Sequence, residues 1–511
     1  MSVAGLVAAS FVYRVPALLN AASVDSDAAI VGLQARHILR GEWSWFLYGS
    51  SYQTSIDAAV AALFFVPLGA TPLALLLSTL VGHVVATCLA FLTLARRLPG
   101  AAALVAVSPL VLTSTPLHTY ILNPPRQAAL TLVFAAIFVT DSASRAASGR
   151  AELLRRAAGA AIASLACFAD PYALLLLPPL LFLGLLAAFD DSPGLREAGV
   201  RAAATLGGAA LGLLPLAFLL SSPRSAHGET TLTLAVVHHN LALLLDPCLP
   251  WLLGATAYVP RVLLGYVPLR STGLLFLVQR AGPALFLLTI TRGGLALARS
   301  RAPWPLRRLG GFGFVVAVVT VLAFLVSVMV MDLFSSRYLA ALVLMSPFAI
   351  APVAAEIGWS RLLAVLAPYL VAAGFSGWVG FGDQVRGAVP VTLPGRGASD
   401  ELVLEGELRA RGVQAAVADY WVSYRLTFLY DEALPVVPIH EKEDRYAPYR
   451  DAYRSAARAA YIFDPKRSRE DLGAMEKEAF ESAEPWGRPV ERIVAGTLTA
   501  VVFEKAGLAR P

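Results

Sequence analysis

Charge is what this 511-residue chain has least of: 15% of its residues are charged, against 57% that are hydrophobic. Soluble globular domains carry roughly 25% charged residues, so this scarcity, with a mean hydropathy of +0.65, excludes an ordinary soluble domain and implies an integral membrane protein. Cysteine is also scarce. Cys88, Cys167 and Cys248 stand apart from one another with no CxxC spacing, which argues against a disulfide framework or a thiolate metal site. No GxxxxGKS phosphate loop occurs, which removes support for an ATP-driven pump. No Gly-x-Ser-x-Gly elbow with a plausible triad is present either. There is no internal repeat, no low-complexity tract and no cytoplasmic stretch able to hold a nucleotide sugar.

Long apolar runs dominate what is there. A spanning helix needs roughly 20 apolar residues. By that rule about eleven spans are expected, at 2–22, 72–95, 100–117, 124–140, 156–169, 171–189, 200–220, 272–291, 310–331, 337–355 and 361–381. The arginine clusters fix their orientation. Arg96 and Arg97; Arg145, Arg150, Arg155 and Arg156; Arg196 and Arg201; Arg292, Arg299, Arg301, Arg307 and Arg308; and Arg361 all fall on one side, which the positive-inside rule makes cytoplasmic. The net charge of +6 therefore reports orientation and anionic lipid, not nucleic acid. The first segment carries Arg14 internally and no basic N-terminal region, so it reads as a retained helix and not a cleaved signal.

Two parts of the chain face outward in this topology and differ from the rest. The loop 23–71 holds a helical pattern from Asp27 to Arg40, expected to lie amphipathically in the membrane interface. Trp43, Trp45, Phe46 and Tyr48 follow at headgroup depth, and then a second helix from Ser55 to Leu68. Beyond Phe381 charge becomes frequent, so 382–511 is expected to be a small soluble α/β domain on the outer side of a transmembrane domain at 1–381. Its expected strands are Val413 to Val417, Tyr424 to Leu429, Ala459 to Phe463 and Gly496 to Phe503. Its expected helices are Asp400 to Arg411 and Ser468 to Ser482.

Where the first span ends lies Asp25-Ser26-Asp27. Acids are costly in hydrocarbon, and at its edge they mark sites for ions or substrates. The other reading is a helix N-cap by Asp25 or Ser26, with an acid complementing the helix dipole. Asp57 either faces Asp27 or marks the first turn of its own helix. Asp170, before Pro171, either makes a turn between spans or joins the site. Arg337, followed by Tyr338, and Arg126 sit at outer span boundaries as candidates for a lipid phosphate, or as arginines snorkelling to headgroups.

The run from Ser26 to Glu42, the run from Tyr48 to Ala58, and the segments Ala169-Asp170-Pro171, Ser336-Arg337-Tyr338-Leu339 and Asp419 to Leu429 together resemble the GT-C class of membrane glycosyltransferases. Within it, the chain looks like bacterial relatives of the protein O-mannosyltransferases and of the lipid A aminoarabinose transferases. The resemblance implies a GT-C-like polytopic helical fold with an extracytoplasmic C-terminal domain, in a bacterial inner membrane. It also implies an inverting hexosyl- or pentosyltransferase that moves a sugar from a polyprenyl-phosphate donor to a protein, lipid or glycan hydroxyl. In that reading Asp27, Asp25 and Asp57 are the catalytic candidates. Arg337, Tyr338, Arg126 and Asp170 bind substrate, and Asp25 with Asp27 shares a divalent cation, magnesium or manganese. The chain departs from its relatives in reading Asp27-Ala28 where they have Asp-Glu, and Asp57 where they often have Glu. It also lacks an acid in the loop from His118 to Gln127. The rival readings are a transporter or flippase of lipid-linked or small polar substrates, and a GT-C scaffold without catalysis.

Overall fold

The computed structural model describes residues 3–143, 149–190, 192, 194–220, 232–260, 266–269, 271–383, 399–465, 467–468, 473–474 and 486–505. Its helical part runs through α1 (Val3–Leu19), α2 (Ser26–Leu39), α3 (Ile56–Leu68), α4 (Pro72–Ala95), α5 (Gly100–Val111), α6 (Thr115–Leu122), α7 (Gln127–Ala143), α8 (Arg150–Ala169), α9 (Leu177–Asp190), α10 (Leu195–Leu220), α11 (Leu234–Leu243), α12 (Leu249–Leu252), α13 (Gly273–Arg299), α14 (Trp304–Val326), α15 (Ala340–Leu344) and α16 (Ser346–Asp383). Helices occupy all of the expected span positions. Among the described residues, five helical runs are long and apolar enough to cross a bilayer by themselves, or six if α5 and α6 make one bent span. The run holding the last two expected spans is broken at Gly358, whose φ of +78° and ψ of 165° leave helical geometry.

The expected span over 100–117 is not a single helix. α5 stops and α6 leaves at 86°. Carbonyls freed at such a break would each cost several kcal/mol in hydrocarbon if left unpaired. Arg14 explains how this one is tolerated: its guanidinium donates to Leu110 O at 3.2 Å and to Val111 O at 3.4 Å. The His83 ring lies 2.9 Å from Leu110 O, and the Tyr13 hydroxyl donates to Thr113 O at 2.7 Å. Elsewhere small residues set the packing. A Cβ at Gly208 or Gly212 of α10 would lie 2.1 or 2.2 Å from the carbonyl oxygens of Ala157 or Ala161 in α8, the close approach that Gly-x-x-x-Gly spacing permits.

The C-terminal part contains α17 (Asp400–Ala410), β3 (Ala415–Ala418), α18 (Tyr420–Leu429), β4 (Val436–Pro438), α19 (Ala447–Ser455), β5 (Arg458–Phe463), β6 (Trp486–Ala495) and β7 (Leu498–Lys505), following a small hairpin of β1 (Ala257–Pro260) and β2 (Tyr266–Leu269). The five-stranded sheet has order β4-β3-β5-β7-β6. β3 pairs in parallel with β4 and β5, and β7 pairs antiparallel with β5 and β6. The helix expected over 468–482 falls almost wholly outside the described residues.

Two expectations are corrected. Tyr424 to Leu429, read as a strand for its aromatic content, lies in α18, which Asp419 caps by accepting from Trp421 N at 2.9 Å. Both helix faces are buried, so no polar stripe reveals the period. Tyr420, Tyr424 and Phe428 pack toward α2 and α3, while Val422 and Leu426 pack against the sheet. Nor does α2 lie as an amphipathic helix in the interface: from Ala28 to His37 every residue is buried. Its polar residues serve other chain segments instead of water. Gln34 donates to Phe46 O at 2.9 Å, Arg36 pairs with Asp431 at 2.9 Å, and the His37 ring lies 2.8 Å from both Tyr48 and Glu432. Glu432 is held down to about 2: burial raises it, and the bonds from His37 and Tyr449 more than offset that. The C-terminal part is thereby fastened directly onto the segment between α1 and α4.

Candidate active site

The end of α1, the start of α2 and the start of α18 bring the acidic pair together with groups from distant parts of the chain. Asp25 is the N-cap of α2. Its Oδ1 accepts from Ala28 N at 2.8 Å and its Oδ2 from the Asn123 amide at 2.7 Å, so both oxygens are committed. Burial first, and the neighbouring Asp27 charge second, push its carboxyl up to about 6. Asp27 sits in the first turn of the same helix. Its Oδ1 accepts the Tyr420 hydroxyl proton, and no described residue reaches Oδ2. The two carboxylates that the sequence could not separate thus differ: Asp25 is a satisfied cap, and Asp27 keeps one oxygen that no described residue reaches.

Cations surround the pair. Arg445 donates from Nε to the Tyr420 hydroxyl at 3.2 Å and from Nη1 to Gly49 O at 2.8 Å. Arg467 donates to Ser23 O at 3.1 Å, and burial beside Arg425 lowers its guanidinium to about 10. Arg467 and Arg337 both lie close enough to Asp25 to favour its ionised form. Arg337 is exposed, and its guanidinium donates only to the Tyr338 hydroxyl, at 3.3 Å, among the described residues.

The other candidates form a second group. Asp57 caps α7 from α3, its oxygens accepting from Arg126 N at 2.9 Å and Ala128 N at 3.0 Å. This fixes Arg126 at a φ of +109°, an unusual value for a residue with a Cβ. Asp57 is raised by burial, against the pull of those two N–H groups. Asp170, 2% exposed, accepts from Tyr172 N at 2.7 Å and from the Gln53 amide at 3.1 Å, and pairs with Arg126 at 3.5 Å. Asp57 thus stands in the first turn of α3 with both oxygens bonded to the start of α7. It braces the start of α7, and Asp170 with Arg126 ties that helix to the first loop. Asn123, Gln53, Tyr420, Arg445 and Arg467 were missed from the sequence. Asn123, a polar residue at a span boundary before two prolines, gave some local signal, and Tyr420 lies in a segment that carries the resemblance, whereas Arg445 and Arg467 gave none.

Among the described residues no three His, Cys, Asp or Glu side chains gather. The charged side chains added to the pair by the rest of the chain are arginines.

No protein-family model matches the chain, and no curated protein matches it in sequence. Solved structures do match in shape. ArnT from Cupriavidus metallidurans in its apo state superposes with a TM-score of 0.53 at 10% identity, covering 96% of this chain and 97% of that one. The same protein bound to undecaprenyl phosphate gives 0.52 at 11% identity, covering 98% and 97%. The fold is that of the GT-C membrane glycosyltransferases. The chain is similar to ArnT from end to end, and at this identity the likeness is one of fold.

Proposed function

We propose that this chain is an inverting glycosyltransferase working at the outer face of the membrane, taking a sugar from a polyprenyl-phosphate donor to an acceptor hydroxyl on a protein, lipid or glycan. One observation carries the reading: Asp27 is anchored through one carboxylate oxygen while no described residue reaches the other, where the first helix leaves the bundle, with Arg337 exposed nearby. A neighbour of the same fold is bound to undecaprenyl phosphate, which supports the donor class.

In this reading Asp27 Oδ2 accepts the proton of the acceptor hydroxyl. The acceptor oxygen bonds to the anomeric carbon as the bond from that carbon to the phosphate oxygen breaks. Polyprenyl phosphate leaves with the electron pair, and Arg337 offsets the charge that develops on it. Asp25 shapes the first turn of α2, and Asp57, Asp170 and Arg126 hold α3, α7 and the first loop in register around it.

The test is transfer by purified protein in liposomes supplied with polyprenyl-phosphate glycolipids and membrane acceptor extract. Wild-type turnover, with a donor KM raised about tenfold or more by Arg337→Ala, is expected. Absence of turnover with every lipid-linked donor by correctly folded protein would overturn the reading.

A further inference from the structure

The carboxylate at the centre of the proposed reaction is held by the C-terminal part of the chain, not by the helical bundle that carries it. We infer that Tyr420, oriented by Arg445, is a positioning residue for Asp27. Tyr420 fixes Oδ1 so that Oδ2 is presented to the acceptor, which makes the outer domain an integral part of the active site. This inference rests on the glycosyltransferase reading and adds to it the residues that aim its base.

Three observations converge on it. The Tyr420 hydroxyl donates to Asp27 Oδ1 and accepts from Arg445 Nε, so its one proton is directed to the carboxylate and cannot turn elsewhere. Arg445 in turn reaches back to Gly49 O in the first outer loop, and its guanidinium carbon lies 5.4 Å from the centre of the Tyr420 ring. The chain therefore closes on itself: loop, Arg445, Tyr420, Asp27. Finally, Gly49 leaves room for this crossing. Its φ is +66°, and a Cβ there would stand 2.2 Å from Arg445 Cδ and 2.7 Å from Arg445 Cα. The Tyr420 ring is itself buried, 6% exposed, in the apolar cluster shared with α2 and α3, and lies edge-on to Trp421 and Tyr424. A base held at a fixed angle loses little on reaction, and misplacement of such a group by an ångström costs about a hundredfold in rate.

The experiment has a contact arm and a kinetic arm, both on the full chain in liposomes. For contact, fluorotyrosine is placed at position 420 and its fluorine resonance followed. Asp27→Asn and Arg445→Gln are each expected to move the resonance, and Asp25→Asn to leave it in place. For kinetics, Tyr420→Phe keeps the packed ring and removes only the hydroxyl. It is expected to lower kcat about ten- to hundredfold with the lipid-donor KM within about twofold. Gly49→Ala, which touches neither Asp27 nor Tyr420, is expected to lower kcat in the same way. Arg445→Lys keeps the charge without the fork and should fall between wild type and Arg445→Gln. A resonance insensitive to Asp27→Asn, or a Tyr420→Phe kcat equal to wild type, would overturn the positioning role while leaving the glycosyltransferase reading intact. Absence of wild-type turnover would remove both.

Discussion

Replacing Asp25 and Asp27 separately by asparagine tests the division of labour between them. In Asp25→Asn the amide oxygen can still accept from Ala28 N, and asparagine is as good an N-cap as aspartate. The partner on Oδ2 is the Asn123 amide, which can turn to present its oxygen to the new amide. The change thus exchanges one charge-assisted bond for a neutral one, a difference of about 1 kcal/mol, and touches no atom of the open carboxylate. Asp27→Asn removes the only oxygen of the pair that no described residue occupies. If Asp27 is the general base, its loss costs about 10²- to 10⁴-fold in kcat, or roughly 3–5 kcal/mol of transition-state stabilisation. The assay is initial-rate transfer from a fluorescent polyprenyl-phosphate glycolipid in liposomes, with kcat and KM separated for donor and acceptor. Asp27→Asn is expected to lose at least about a hundredfold in kcat and Asp25→Asn less than about tenfold. Equal losses for the two variants, or a nearly active Asp27→Asn, would refute the distinction drawn from their hydrogen bonds.

Arg126→Ala should behave unlike Arg337→Ala. It strips the partner from the buried Asp170 carboxylate and should destabilise the fold by about 3 kcal/mol or more, visible as a lowered thermal midpoint in detergent. Asp57→Ala removes the acceptor for two backbone N–H groups at the start of α7. It should cost about 1–2 kcal/mol of stability, with the folded fraction retaining its kcat. Thermal stability should also depend on pH through Asp25. Its carboxyl is raised to about 6 in the fold, so the folded state binds that proton more tightly than the unfolded chain. This contribution is fully present below pH about 4 and is lost as pH rises through about 6, on the order of 1–3 kcal/mol. The difference between wild type and Asp25→Asn across that range isolates it, and a difference independent of pH would contradict the burial that causes the shift.

The membrane class and the places of the helices were legible because hydropathy and caps are local signals. What failed were readings in which tertiary contacts replaced solvent. Gln34, Arg36 and His37 look like the wet side of an amphipathic helix, yet each is spent on a partner elsewhere in the chain. Tyr424 to Leu429 reads as a strand because α18 is apolar on two faces, one for α2 and one for the sheet. The α5–α6 break was hidden for the opposite reason: the groups that make it tolerable, Arg14, Tyr13 and His83, come from α1 and α4. Arg14 was visible as an odd charge within a span, and only the structure shows that it caps another helix.

Acids at the membrane edge were singled out because such positions are costly, and that cost turns out to have two remedies. Asp25 and Asp170 are each satisfied by a backbone N–H together with a side-chain amide, Asp170 with an arginine besides, and Asp57 by two backbone N–H groups, and each locks a helix start or a turn. Depth and charge therefore identify the rim of the site without identifying the reacting group. What sets Asp27 apart is its geometry: one oxygen held by a tyrosine almost four hundred residues away, and the other reached by no described residue. A carboxylate in that state is under-used by the fold, and an anchor on only one oxygen is what a group requires if it must hold its direction while gaining a proton. Since its anchor belongs to the C-terminal part of the chain, removing that part should release Asp27 and at the same time strip Arg36 and His37 of their partners, whereas Tyr420→Phe removes the anchor alone. On the proposed reading, the integrity of the C-terminal part therefore bears on catalysis itself and not only on the choice of acceptor.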